Sequence, residues 1–325
     1  MSTPSPAAER LVWLPFDVAD LDAAFAAQGD DGPPAGLRFE TVDPTALETL
    51  PASVADVALY VPPYRMDPVI AEPLPAMTSL QAVQLLSAGA DHVRGRVPAG
   101  VDLCTGRGIH DSSTAELALT LVLASLRGVP GFVRAQDRGA WEPQWRPALA
   151  DRRVLLVGAG AIGSAIEARL APFEVEVVRV ARTARDDERG HVHGVDELPT
   201  LVPDADVVVL ILPLTERSRG LVDAELLAAM RPGALLVNLA RGPVVDTDAL
   251  VAALHEGRIS AAIDVVDPEP LPPEHPLWRA PNLLVSPHVG GASSAMWPRA
   301  HRLVAAQLRR FAAGEPLANR VAGDS

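Results

Sequence analysis

Three side chains in the second half of the chain follow apolar runs that read as buried strands. Arg241 comes after Ala234–Asn238 in NLARGPVVD, Glu269 after Ala261–Val265 in DVVDPEPL, and His288 after Leu283–Ser286 in SPHVGG. Ligands of open parallel sheets bind beyond the carboxyl ends of the strands, so three strands could deliver these groups to one rim. An arginine holds a carboxylate bidentately and polarises a neighbouring carbonyl. A histidine gives or takes a proton near neutral pH. A glutamate beside it orients the imidazole and stabilises its protonated form. Each residue alone also has a plainer use: Arg241 as a helix-end ion pair, Glu269 as a loop cap, His288 as one of eight ordinary histidines.

A second group could hold phosphate. Residues 154–163 read VLLVGAGAIG, a GxGxxG loop between an apolar run and a helical pattern. Gly158 permits the tight turn, Gly160 lets backbone approach a pyrophosphate, and Gly163 lets helix and strand pack closely. Ala161 and Ile162 complete the loop, and the helix start offers N–H groups to an anion. The next strand, in EVEVVRVARTARDD, ends at Ala181, where an NAD site usually carries Asp or Glu. Arg182, Thr183 and Arg185 follow instead and suit a 2′-phosphate. They predict NADP(H) as the preferred cofactor, with NAD(H) possible. The alternative is a solvated arginine turn, with Asp186 or Asp187 meeting the ribose. His191 and His193 have ligand-like spacing but show no third ligand in the sequence, so they read as a surface turn and no metal site is assigned. His92 and His110 show no obvious partner.

The elements that must position these groups alternate strand and helix. From Arg152 onward the strands are Val154–Val157, Val175–Val180, Asp206–Leu212, Ala234–Asn238, Ala261–Val265 and Leu283–Ser286. The helices are Gly160–Ala171, Asp223–Met230 and Asp246–Glu256, the last with acid at its start and Gly257 at its end. This pattern means βαβ units and a parallel sheet. The first hundred residues read as a smaller α/β unit, with strands Leu11–Leu14, Leu37–Val42, Val57–Val61 and Leu80–Leu86 and helices over Asp17–Ala27 and Pro44–Leu50. Val97–Gly100 reads as a hinge. A buried helix over Ser112–Leu126, capped by Ser112 or Ser113, precedes a Gly/Pro/Trp-rich loop over Arg127–Asp151, read as a subunit arm. A last helix, Ser294–Ala313, returns to the first unit. The expected fold is α/β with two domains: a Rossmann-type doubly wound parallel sheet over 99–294, and a smaller flavodoxin-like α/β substrate domain from 1–98 and 295–325, with the cleft between them.

Composition narrows the chemistry. A chain of 325 residues suggests about two domains. A net charge of −13 argues against nucleic acid as a partner. No apolar run reaches the ~18 residues of a membrane span, and the first residues lack a signal-peptide pattern, so a cytoplasmic location is expected. The single cysteine, Cys104, excludes an internal disulfide and CxxC chemistry. All 28 basic residues are arginine. Without lysine there is no Schiff base and no P-loop lysine.

The chain resembles the D-isomer-specific 2-hydroxyacid dehydrogenases, most strongly from Leu80 to Gly291. GAGAIG is similar to that family's cofactor loop, LPLTERSRGLVDAELLAAMRPGALLVNLARG to its long central signature, and VSPHVGG to its histidine motif. The resemblance implies that Arg241, Glu269 and His288 are the catalytic trio. It implies that Ala88 and Gly89, in LLSAGADHV, present backbone N–H groups to a substrate carboxylate. It also implies that Asp264 meets the nicotinamide carboxamide, that Leu239 and Ala240 line the nicotinamide, and that Leu212, Pro213 and Leu214 lie along the cofactor. Members are usually homodimers joined through the cofactor domain. The sequence ART resembles the NADP-preferring glyoxylate and hydroxypyruvate reductases. Glutamate rather than glutamine at Glu269 separates the chain from formate dehydrogenases, and the missing lysine separates it from phosphite-oxidising relatives. The expected reaction is reduction of a small 2-oxoacid to the D-2-hydroxyacid. The alternatives are a non-enzymatic, dinucleotide-sensing corepressor-like protein and a family dehydrogenase for a bulkier substrate. Tyr60, Tyr64 and Arg65 fall near the expected pocket, and Trp297 follows the histidine motif.

Overall fold

The structure is a computed structural model that describes residues 9–46 and 48–321. The residues on which the missing signal pattern rests lie partly outside it (1–8), as does Leu47 within the expected helix Pro44–Leu50. The chain divides into two compact units: one runs to His110 and resumes at Ser294, and the other spans Asp111–Ser293.

The first unit is a five-stranded parallel sheet. Its strands are β1 (Arg10–Leu14), β2 (Leu37–Thr41), β3 (Val57–Tyr60), β4 (Ala82–Gln84) and β5 (Asp102–Cys104), in the order β2-β1-β3-β4-β5. That is the flavodoxin-like doubly wound order. Alternate residues face opposite sides: Val12 and Leu14 pack with Leu59 on one, Leu11 and Trp13 with Tyr60 on the other. The C-terminal helix, Met296–Ala313, covers the first face with Ala300, Val304, Leu308 and Phe311 and ends at Gly314 in the left-handed region. Its return to this unit is therefore observed. Strand β5 shifts the boundary expected at residues 98–99, because it pairs with β4 and keeps residues 99–110 in the first unit. Two expected helices are shorter. Asp17–Ala27 is a 3-10 turn followed by α1 (Asp22–Ala26), and among the described residues of Pro44–Leu50 Pro44–Ala46 forms a 3-10 turn. Asp17 caps the first turn through its side chain, and few apolar positions support more helix.

The second unit carries an eight-stranded sheet. In chain order its strands are β6 (Arg153–Val157), β7 (Glu176–Ala181), β8 (Arg185–Asp187), β9 (Gly190–Gly194), β10 (Val207–Leu210), β11 (Leu235–Asn238), β12 (Ser260–Ile263) and β13 (Leu283–Val285). The order is β13-β12-β11-β10-β6-β7-β9-β8, parallel throughout except the β8–β9 hairpin. This is the Rossmann order, with its switch point between β6 and β10. Helix α2 (Asp111–Leu126) starts one residue before Ser112, which puts Ser112 and Ser113 in the first turn rather than at the cap. The stretch Arg127–Asp151, expected as loop, contains α3 (Val129–Asp137), entered at Gly128 in the left-handed region. Helices α4 (Ala161–Leu170), α5 (Leu198–Leu201), α6 (Ala224–Ala229) and α7 (Thr247–His255) complete the unit. Asp223 and Asp246 cap α6 and α7 by accepting from the N–H groups of Leu226 and Ala249. No single described helix is long and apolar enough to cross a membrane.

Candidate active site

Strand register in the second unit sets the rim. Val157, Val180, Leu210, Asn238, Ile263 and Val285 lie abreast across the parallel strands. The residues after each must therefore emerge at the same carboxyl edge. Gly158 leaves β6 there with φ +128°, and a Cβ on it would stand 2.3 Å from the Ile211 carbonyl oxygen. A Cβ on Gly163 would stand 1.9 Å from the Gly158 carbonyl oxygen, so only glycine lets α4 come this close. Gly160 differs: nothing lies within 4 Å of where its Cβ would be. The protein leaves that face open to an approaching group. Gly160 is also the residue before α4, and no side chain caps that helix. The first-turn amides of α4, at Ala161, Ile162 and Gly163, are donors that the helix itself does not satisfy. An open glycine face before an uncapped helix start fits a dinucleotide pyrophosphate.

At the tip of β7, Ala181 is followed by exposed Arg182, Thr183 and Arg185. Neither guanidinium forms a hydrogen bond or ion pair with any described residue. The two aspartates nearby, Asp186 and Asp187, are already engaged. Asp187 takes two 2.8 Å hydrogen bonds from the buried Arg179 guanidinium, which hold its carboxyl below the usual range, and Asp186 accepts from His191 Nδ1 at 2.8 Å. After β10, Ser218 pins the loop carrying Leu212, Pro213 and Leu214: it accepts from the Thr215 N–H and donates to the Pro213 carbonyl, both at 2.8 Å.

The trio comes next. Asn238 ends β11 and shapes the turn: its Oδ1 accepts from the Ala240 N–H at 3.0 Å and its Nδ2 donates to the Arg241 carbonyl at 3.2 Å. Leu239 and Ala240 are buried there, and Arg241 is half-buried, with Nη1 donating to the Ala240 carbonyl at 2.8 Å. Gly242 passes so close to the next loop that a Cβ would stand 1.8 Å from the Val266 carbonyl oxygen. Glu269 and His288 meet directly, His288 Nδ1 donating to Glu269 Oε1. A carboxylate can only accept, so the bond fixes the proton on Nδ1 and leaves Nε2 for another partner.

Asp264 has a structural part that the sequence reading did not foresee. It is 3% exposed, and its carboxylate accepts three hydrogen bonds: from Ser286 Oγ at 2.6 Å and from the N–H groups of Val289 at 3.0 Å and Gly290 at 2.9 Å. The His288 N–H also donates to the Asp264 carbonyl at 2.7 Å. Between these anchors His288 holds φ +52°, a backbone state that costs a non-glycine residue about 1–3 kcal/mol. Thr114 of α2 adds a 3.2 Å hydrogen bond to the Gly290 carbonyl. The signal lay in SPHVGG: a serine and two glycines around a histidine next to a buried aspartate.

In the first unit, Ala88 is exposed and Gly89 half-buried, and neither N–H donates to a described residue. Ser87 shapes this turn by donating to the Gly89 carbonyl at 2.8 Å. The aromatic residues near the expected pocket have other surroundings. Tyr60 is buried edge-on to Trp13, and burial pushes its phenol pKa upward. Arg65 pairs with Asp67 at 2.8 Å, Tyr64 stacks on His110, and Trp297 packs edge-on to Phe16.

Comparison with known proteins places the chain in a family. Residues 119–290 match the family described as D-isomer specific 2-hydroxyacid dehydrogenase, NAD binding domain. The chain belongs to that family. It is similar to the glyoxylate reductase of Thermofilum pendens, with 34% identity over 266 residues covering 77% of each chain. To the human glyoxylate reductase/hydroxypyruvate reductase it is 32% identical over 259 residues, 74% of this chain and 77% of that one. Among solved structures, the D-isomer specific 2-hydroxyacid dehydrogenase of Xanthobacter autotrophicus Py2, in complex with NADPH and MES, superposes with a TM-score of 0.79 at 32% identity, covering 97% of this chain and 98% of that one. The NADPH-dependent glyoxylate/hydroxypyruvate reductase of Sinorhizobium meliloti, in complex with NADP and malonate, gives 0.74 at 26% identity, covering 97% of each. Like its family, the chain is an NAD(P)-dependent oxidoreductase that interconverts 2-oxoacids and 2-hydroxyacids.

Proposed function

We propose that the protein reduces a small 2-oxoacid of the glyoxylate or hydroxypyruvate kind to the D-2-hydroxyacid, with NADP(H) preferred over NAD(H). The observation that carries the reaction is the His288–Glu269 pair, with Nε2 of His288 left to face a reacting oxygen. When bound, the nicotinamide supplies the hydride. Arg241 holds the substrate carboxylate, and the Ala88 and Gly89 amides are the further donors that the family resemblance implies for it. His288 gives its proton to the oxygen that becomes the alcohol, and Glu269 stabilises the imidazolium before transfer. Leu239, Ala240, Leu212 and Pro213 lie at the edge where the cofactor is expected, as the family resemblance implies. Glyoxylate and hydroxypyruvate are favoured because the similar relatives named above carry those activities in their names.

The preference for NADP(H) rests on Arg182 and Arg185, which have no acidic partner among the described residues, while Asp186 and Asp187 are committed elsewhere. This weakens the alternative in which an aspartate meets the ribose. A homodimer through the cofactor unit is supported by α3 and the stretch after it: Phe132 and Val133 are exposed and Trp141 is 96% exposed. Such apolar surface marks an interface.

The test is oxidation of NADPH and of NADH, followed at 340 nm, against glyoxylate, hydroxypyruvate, pyruvate and bulkier 2-oxoacids. Turnover of the small oxoacids with NADPH preferred is expected. A His288→Ala variant with near-normal turnover overturns the role of His288, and NADH preference overturns the arginine assignment.

A further inference from the structure

The hairpin β8–β9 holds a cluster that the dehydrogenase chemistry does not use. His191 and His193 occupy alternate positions on β9, so their imidazoles leave the same face of the strand. The rings stand 4.6 Å apart, nearly perpendicular. The third group absent from the local sequence spacing comes from the turn after the strand. Glu197 reaches back so that its Oε2 lies 2.7 Å from His193 Nδ1, while its Oε1 accepts from the Gly194 N–H at 2.7 Å. One donor atom from each of His191, His193 and Glu197 lies within 4.8 Å of the others. Both histidines thus lie on a strand rather than in the surface turn expected for them.

We propose that His191, His193 and Glu197 form a binding site for a divalent transition-metal ion of the zinc class. Two imidazoles and one carboxylate are a ligand set that such ions take in tetrahedral geometry, with the fourth position left to water or an outside ligand. The mixture of nitrogen and oxygen disfavours magnesium and calcium, which prefer oxygen alone. Ligand atoms about 2.0–2.2 Å from zinc stand roughly 3.3–3.6 Å apart, so closing the site asks for about 1 Å of movement. The side chains involved are 28–50% exposed and have room for it. The cation takes the place of the proton now shared by His193 Nδ1 and Glu197.

Two features prepare the site. Asp186 lies directly opposite His191 in the hairpin register and accepts from its Nδ1 at 2.8 Å. That bond fixes the tautomer and leaves Nε2 as the ligand atom, the way outer carboxylates orient metal-bound histidines. Two carboxylates, Asp186 and Glu197, stand against the two imidazoles, so the cluster is anionic when the histidines are neutral. Arg179 and Arg189 do not oppose this, because Asp187 and Glu167 engage their guanidiniums.

The experiment uses the full chain, stripped of metal with a chelator and titrated with zinc chloride at constant pH in competition with a chromophoric indicator. One zinc per chain is expected. His193→Gln and Glu197→Gln should each weaken it more than about tenfold, and Asp186→Asn by about tenfold. Far-UV melting curves of the variants confirm folding, since all three positions are partly exposed. The X-ray absorption spectrum of the zinc-loaded chain should require two imidazole ligands. The proposal is overturned if the metal-free chain takes up no zinc, if the His193→Gln chain binds it with unchanged affinity, or if the spectrum fits fewer than two imidazoles.

Discussion

Replacing Asp264 by asparagine changes one atom in a buried carboxylate, and its consequences follow from the hydrogen bonds. The carboxylate serves Ser286 and Val289 through Oδ1 and Gly290 through Oδ2. The amide keeps one acceptor oxygen. If that oxygen takes the place of Oδ1, the new N–H2 faces the buried Gly290 N–H. If it takes the place of Oδ2, Val289 loses its acceptor instead. Either way a backbone N–H is left facing a donor, at a cost of about 1–3 kcal/mol. At about 2–4 °C per kcal/mol for a unit of this size, the Tm should fall by roughly 2–12 °C. The same anchors hold His288 at φ +52°, so the weakened loop relaxes toward an ordinary conformation and carries the imidazole off its line. A displacement near 1 Å costs on the order of 100-fold in rate, so kcat should drop about 10–100-fold. Ser286→Ala removes only one donor and should cost about 1 kcal/mol. The assays are thermal melting by circular dichroism and NADPH oxidation at saturating oxoacid. An Asp264→Asn protein that melts within about 1 °C of the parent and keeps its kcat would refute the bracing role.

The other predictions are shorter. Arg182→Ala combined with Arg185→Ala should lower kcat/KM for NADPH by about 100-fold or more and leave NADH nearly unchanged, because two phosphate contacts worth about 1.5–3 kcal/mol each are lost. Gly163→Ala forces a methyl into the Gly158 carbonyl, so a lower Tm and weakened NADPH binding by fluorescence titration are expected, with destabilisation of at least about 1–3 kcal/mol. Burial raises the Asp206 pKa, but the Arg153 N–H, the Arg152 side chain and the charges of Arg152 and Arg231 outweigh it and hold the carboxyl below its ordinary value. Its stabilisation is therefore complete above the ordinary carboxylate range and lost as pH falls through the depressed folded value. Asp206→Asn should melt lower than the parent at pH 7, and the two curves should converge in strong acid. Trp141→Arg with Trp145→Arg should convert the proposed dimer to a monomer in light scattering, since both indoles are fully exposed in the single chain.

Much of the fold was legible because its signals are local. Buried parallel strands are short apolar runs, and those ending at Val157, Asn238 and Ile263 stand within two residues of where their patterns place them. The acid caps at Asp223 and Asp246 and the terminator at Gly257 are equally local. The Glu269–His288 contact was within reach of the sequence because a parallel sheet puts strand ends on one edge, and both residues follow strands, as does Arg241. What stayed hidden depends on partners distant in the chain. Strand β5 has three residues and exists because β4 lies beside it. The hairpin β8–β9 is mostly polar, and β7 templates it by pairing Val180 with His193. Helix α3 lies in a stretch interrupted by glycines and prolines.

Residue chemistry and order along the chain thus determined the fold class, the glycine loop at the end of β6 and the candidates Arg241, Glu269 and His288, since each needs only a pattern a few residues long. Tertiary structure decided which acids were already engaged, that Asp264 braces the His288 loop, and that Glu197 stands beside two histidines. Those facts turn on hydrogen bonds between side chains and backbone that only folding brings within reach, and their directionality cannot be read from spacing.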